Sequence, residues 1–164
     1  DEGAKAIGAA LHVNSVLTSI DVGYNDLNEE AALGIVRAVR QQDKMATLGL
    51  ASCGIGASGA HEVAEYMRVS SVLTSLNLLR NNLDTASANA LAEVAKTKRI
   101  SLCGIKPDQT EADFSWQSLG PVDAILIASD VSVSSVLTSL NLLGNQIGVE
   151  GGKAIAARYM SIAR

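Results

Sequence analysis

The chain has 164 residues, a formal net charge of −4, 48% apolar residues and only 3% aromatic ones. That length suffices for one domain whose core is made of Leu, Ile, Val and Ala. The acidic balance, with no basic stretch longer than Lys96 to Arg99, argues against a nucleic-acid or anionic-membrane surface. The longest apolar stretch, Ala124 to Ala128, is too short to span a bilayer, and no amino-terminal signal segment is apparent. The expectation is a soluble, cytoplasmic protein with no membrane partner. Cys53 and Cys103 lie far apart without CxxC spacing and read as free, buried thiols in a reducing compartment.

In chain order, Asp1 to Leu11 reads as a helix, opened by acidic residues and carrying Ala4, Ile7, Ala10 and Leu11 at helical spacing. Leu17, Ile20, Val22, Asn25 and Leu27 then give LxxLxLxxNxL, in which paired apolar residues flank one outward residue as a short strand requires. Asn28, Glu29 and Glu30 open a helix that runs to about Arg40. The same template returns 28 residues later as Met45, Leu48, Leu50, Cys53 and Ile55, with a helix from about Ser58 to Arg68. It returns after another 28 as Leu73, Leu76, Leu78, Asn81 and Leu83, with a helix near Thr85 to Ala95. The stretch VSSVLTSLNLL at Val69–Leu79 is spelled again at Val133–Leu143, and VNSVLTSIDV at Val13–Val22 is a looser third copy. A fixed period of this size marks strand-and-helix units that bury their apolar faces only by stacking.

LxxLxLxx(N/C)xL followed by a Gly/Ala-punctuated helix, at a 28-residue period, resembles the leucine-rich repeat family in its ribonuclease-inhibitor-like subtype. The resemblance covers almost the whole chain. It implies a single α/β domain over residues 1–164, part of a longer array: a right-handed solenoid or horseshoe segment, with a parallel inner sheet of about six strands and helices outside. It also implies a structural column of Asn25, Asn81 and Asn145, with Cys53 in the same line, hydrogen-bonding the backbone of the turn after each strand.

The period breaks once. Ile100 and Leu102 take strand positions only 24 residues after Leu76 and Leu78, and 12 residues later Ala112, Phe114, Gln117 and Leu119 fit again. One unit, near residues 99–110, has therefore lost its helix, and Gly104, Pro107 and Asp108 mark a tight return loop. Two adjacent parallel strands are expected there, with an antiparallel hairpin as the alternative. A helix from about Pro121 to Asp130 follows, with Pro in its first turn. The last unit, Leu137 to Ile147, leads into GVEGGKAIAARYM, close to the opening DEGAKAIGAA. Neither end reads as a polar cap, which suggests end-to-end self-association or a longer array.

Gly54 to Gly59 matches GxGxxG after a strand, but Gly56 and Gly59 recur as Gly148 and Gly151 and no acidic residue ends the next strand, so nucleotide binding is not expected. His61 and Glu62 begin HEVAE, which lacks the second histidine of a zinc helix. No catalytic residue, metal or cofactor is expected.

Outward strand positions would line the concave face in rows. One row reads Asp21, Gly49, Asn77, Ser101, Asp113, Asn141, and the next Ser19, Thr47, Ser75, Arg99, Glu111, Ser139. The row before the Asn column reads Tyr24, Ser52, Arg80, Gly104, Trp116, Gly144, and so aligns three residue types enriched at interface hot spots. The predicted contact surface is Asp21, Tyr24, Asn77, Arg80, Glu111, Asp113 and Trp116, binding a protein or peptide. A GTPase-activating role, which some members of the subtype have, is the alternative and rests on fold analogy; a structural segment of a larger assembly is another.

Overall fold

A computed structural model describes residues 2–162, as six helices and five short strands in strict alternation. In order these are α1 (Glu2–Val13), β1 (Ser19–Asp21), α2 (Glu29–Arg40), β2 (Thr47–Gly49), α3 (Ala57–Val69), β3 (Ser75–Asn77), α4 (Thr85–Lys98), β4 (Glu111–Asp113), α5 (Pro121–Val133), β5 (Ser139–Asn141) and α6 (Gly148–Ile162). The predicted helix at the start begins at Glu2, Asp1 lying outside the described residues. The helices at Ala57–Val69, Thr85–Lys98 and Pro121–Val133 each end one to three residues later than their apolar spacing predicts.

All strand pairing within the named strands is parallel, and the regular units stack residue for residue: Ile20 faces Leu48, which faces Leu76, while Ala112 faces Leu140. Inward residues of the central units are fully buried, with Leu48, Leu50, Leu76 and Leu78 at 0% exposure. Each contributes about 1.5–3 kcal/mol of apolar transfer. Strands so short cannot satisfy the turn that follows them, and the asparagine column does so. The Asn81 carboxamide oxygen accepts from the N–H groups of Cys53 and Ile55 (3.1 and 3.0 Å), and its nitrogen donates to the carbonyls of Leu50 and Leu78 (both 2.9 Å). Asn145 repeats all four bonds with Gln117, Leu119, Phe114 and Leu142. Cys53 keeps only the donor half, its thiol directed at the carbonyls of Ala51 and Val22.

The duplicated stretch performs the same work twice. The hydroxyls of Ser70 and Ser134 accept from the N–H groups two and three residues on, and Thr74 and Thr138 donate to the carbonyls of Ala46 and Thr110. What differs is cover. Leu79 is 1% exposed and its copy Leu143 is 63% exposed: beyond β3 lies the segment bridged to it at Ser101 and Cys103, whereas β5 pairs with β4 alone among the described residues.

The expected continuous sheet of about six strands is not formed. It is divided into β1-β2-β3 and β4-β5. The segment after α4 pairs with β3 through two isolated bridges only, Ser75 with Ser101 in the parallel sense and Asn77 with Cys103 in the antiparallel sense. No ladder joins this segment to β4 among the described residues, so neither the parallel pair nor the hairpin expected there is present. The cause is chain length: a parallel neighbour needs a crossover of roughly a dozen residues, which the helix-less return does not supply. Instead Pro107 and Asp108 form a turn in which the Gln109 N–H donates to the Lys106 carbonyl (3.1 Å).

Two carboxylates of α5 take over where the missing strand would have bonded. Asp130, only 3% exposed, accepts from the Ser101 hydroxyl (2.6 Å) and from the N–H groups of Leu102 (2.7 Å) and Cys103 (3.0 Å). Asp123 accepts from the Arg80 N–H (2.6 Å) while also bonding the Gly120 N–H (2.8 Å) at the start of its own helix. The two acids are seven residues apart, two helical turns, and so share one face of α5.

Burial pushes the Asp130 carboxyl up to about 6, although Ser101, Leu102 and Cys103 pull the other way. The folded state therefore holds this proton more tightly than the unfolded chain, and the favourable contribution is largest below pH 4 and declines as pH rises towards 6. Replacing Asp130 by Ala strands two backbone donors, each worth about 1–3 kcal/mol when buried. Urea unfolding near pH 4 should show wild type ahead of Asp130→Ala by about 2–4 kcal/mol, with the gap narrowing as pH is raised through 6. A gap that widened with pH would refute the assignment.

Candidate functional site

The strand face opposite the helices carries the predicted rows, and the register supports most of them. Ser19, Thr47 and Ser75 align, as do Asp21, Gly49 and Asn77; on the second sheet Glu111 aligns with Ser139 and Asp113 with Asn141. The short unit departs by two residues. Ser101 stands beside Ser75 rather than Asn77, and Arg99 is not on a strand at all but caps α4 in the left-handed conformation (φ 56°). The physical reason is the extra length of α4, which holds the chain in the helix until Lys98.

Side chains in the central row are engaged by their own turns. Asp21, Asn77, Asp113 and Asn141 each accept the N–H two residues on, from Gly23, Leu79, Ser115 and Leu143 (2.8–3.2 Å). Hydrogen bonding from the Ser115 side chain, and next from its N–H, holds the Asp113 carboxyl below its ordinary value. The Asp21 carboxylate lies over Gly49, where a Cβ would stand 2.1 Å from its oxygen. Asp113 in this line and Glu111 in the neighbouring one remain exposed.

Every member of the next row, Tyr24, Ser52, Arg80, Gly104, Trp116 and Gly144, has a positive φ, between 55° and 81°. The strand must reverse sharply there, and the N–H groups of Tyr24, Ser52 and Trp116 donate to the carbonyls of Ala51, Leu79 and Leu143 in the following unit. A side chain in this conformation costs about 1–2 kcal/mol, and the turn fixes where it points. Arg80 reaches across Ser52 so that its guanidinium carbon lies 5.6 Å from the centre of the Tyr24 ring, a cation–π contact. The Trp116 ring covers Gly144, where a Cβ would fall 2.4 Å from ring carbons. Tyr24 remains 55% exposed and Trp116 74% exposed. The structure thus brings Tyr24 and Arg80 together on one sheet, and places Trp116 with Glu111 and Asp113 on the other.

The glycine-rich stretch after β2 has an internal explanation. The Glu29 carboxylate accepts from the N–H groups of Gly56 and Gly59 (both 2.9 Å), and a Cβ on Gly59 would lie 2.4 Å from it. The anion position at the start of α3 is filled by a neighbouring unit. Glu62 forms a two-point ion pair with Arg37 (2.7 and 2.9 Å), which also bonds Glu30. Both thiols are buried; desolvation raises Cys53 to about 11 and Cys103 well above its ordinary value. Sequence reasoning missed Asp123 and Asp130. The available signal was two acids at helical spacing flanking the most apolar run of the chain, beside the unit whose period fails.

Comparison with known proteins gives a consistent result. The family described as Leucine Rich repeat matches residues 133–156. NACHT, LRR and PYD domains-containing protein 13 of Homo sapiens is 30% identical over 101 residues, covering 62% of this chain and 10% of the relative. The chain spans about a tenth of the length of the curated relatives it matches. Among solved structures, the tropomodulin C-terminal domain of Caenorhabditis elegans is similar with a TM-score of 0.57 at 16% identity, covering 98% of this chain and 95% of that one. The leiomodin-1 actin-binding site 2 gives 0.53 at 14% identity, with 99% and 91% coverage. These two likenesses concern the fold.

Neutral, buried thiols are poor nucleophiles. Iodoacetamide in native buffer should leave Cys53 and Cys103 unmodified, and both should react once the chain is unfolded in denaturant, as read by intact mass. Rapid native labelling of either would contradict the burial described.

Proposed function

We propose that this chain, a leucine-rich repeat protein, is a non-catalytic interaction scaffold of the ribonuclease-inhibitor-like subtype that binds a protein or peptide on its concave face. The observation that carries the reading is the row of left-handed turns that hold Tyr24, Arg80 and Trp116 out from the strands. Rigid, exposed aromatic and arginine side chains bring large contact area at low cost in lost rotamer freedom, and such residues dominate interface energetics. Asp21, Asn77, Glu111 and Asp113 supply a polar and acidic surround for them. The acidic members favour a partner with a complementary basic patch. Among the described residues no helix is long and apolar enough to cross a membrane, and a cytoplasmic setting suits two free thiols. End-to-end self-association through the outer edges of β1 and β5 belongs to the same reading, since each pairs on one side only among the described residues.

The experiment is capture from the source cell lysate by the wild-type chain and by a Tyr24→Ala, Arg80→Ala, Trp116→Ala variant whose circular dichroism and melting are unchanged, followed by titration of the recovered protein in purified form. Because the similar leiomodin-1 segment is an actin-binding site, actin is the first purified protein to offer in parallel. The triple variant should weaken binding by at least about 2 kcal/mol, some thirtyfold. Equal affinity of both chains would move the function away from this face, and accelerated GTP turnover by a captured GTPase would replace the reading with a regulatory one.

A further inference from the structure

The interruption of the sheet leaves a cavity of about 680 Å³ on the side of the molecule where α4 and α5 end and the next strands begin. Its volume falls in the range of roughly 300–1,000 Å³ typical of ligand sites. It lies where the return loop of the short unit meets the ends of α4 and α5.

Three cations stand around it: Lys96 and Arg99 from the end of α4, and Lys106 from the return loop. None of the three forms an ion pair among the described residues. Lys96 and Arg99 also sit where the negative end of a helix favours positive charge, a local role that Lys106, in the loop, does not share. In a chain of net charge −4, three unpaired cations on one cavity are a concentration of the minority sign. The acid of the lining, Asp130, forms no ion pair with any of the three among the described residues; its oxygens bond Ser101, Leu102 and Cys103. Hydroxyls of Thr74, Ser134 and Ser135 add polar groups, although Thr74 and Ser134 already bond backbone. Ile105, Pro107 and Val133 give the cavity an apolar portion.

We propose that this cavity is a second recognition site, distinct from the strand face, for an acidic peptide segment. Carboxylates of the segment lie against Lys96, Arg99 and Lys106, and an apolar residue between them packs on Ile105, Pro107 and Val133. Lysine and arginine together suit spaced carboxylates better than a single small anion, which could engage them only in part.

The test is fluorescence anisotropy of the whole chain with a fluorescein-labelled Glu-Glu-Leu-Glu-Glu peptide, against the same peptide with lysine in place of glutamate. Saturable binding is expected for the acidic peptide alone, weakening as salt is raised from about 50 to 300 mM because screening shortens the reach of the three charges. The variant Lys96→Glu, Arg99→Glu, Lys106→Glu, folded by circular dichroism, should lose affinity by at least about tenfold. The variant carrying alanine at Tyr24, Arg80 and Trp116 should bind as wild type does, which separates this site from the scaffold reading. No saturable binding, equal binding by the charge-reversed variant, or loss in the strand-face variant would each overturn the proposal. Displacement by free glutamate as effective as that by unlabelled peptide would also overturn it, in favour of a small-anion site.

Discussion

A buried carboxylate, Asp130, takes the place of a missing strand where the two halves of this fold meet. A parallel array is stable because each strand hands its N–H groups to the next strand's carbonyls, and the chain breaks that rule after α4. Asp130 answers the donors of Leu102 and Cys103 with its own two oxygens, so that a helix side chain stands where a strand backbone would. Desolvating a carboxylate is expensive, and three short hydrogen bonds make it tolerable. Asp123, two turns earlier, does the equivalent for Arg80. The cavity with its cations, the split sheet and the separation of Tyr24 and Arg80 from Trp116 all lie at this interruption.

The regular units were legible because their signals are redundant. Leu48, Leu76 and Leu140 are fixed by period and by apolar alternation at once, and Asn81 and Asn145 are required by turns that cannot otherwise be satisfied. Even the identity of the outward rows survived, since register is set by the inward leucines. The short unit was legible as a failure of period but not in its geometry. Position 99 reads as strand by its distance from Ile100 and Leu102, yet α4 continues through Lys98 because Lys96 and Lys98 are good helix residues and nothing before Arg99 stops them. With this longer helix, Ser101 stands beside Ser75 rather than Asn77.

Candidate contact residues were legible as types rather than as conformations. Tyr24, Arg80 and Trp116 stood out by size, but the sequence does not say that their whole row adopts positive φ, a region more usual for glycine or asparagine. Nor does it show that Asp21, Asn77 and Asp113 spend part of their hydrogen-bonding capacity on their own turns. That capacity was invisible because an Asx turn depends on backbone direction after the strand, which the template fixes only once neighbours are stacked.

Within the first block, Glu29 bonds the next unit's helix start and Arg37 the next unit's Glu62, so these adjacent units are tied by main chain and side chain together. Across the interruption, packing of α4 on α5 and the bonds to Asp123 and Asp130 carry the connection without a strand ladder. Mechanically the joint between the blocks is made of side-chain bonds and helix packing, so tension along the array would be borne there without a strand ladder.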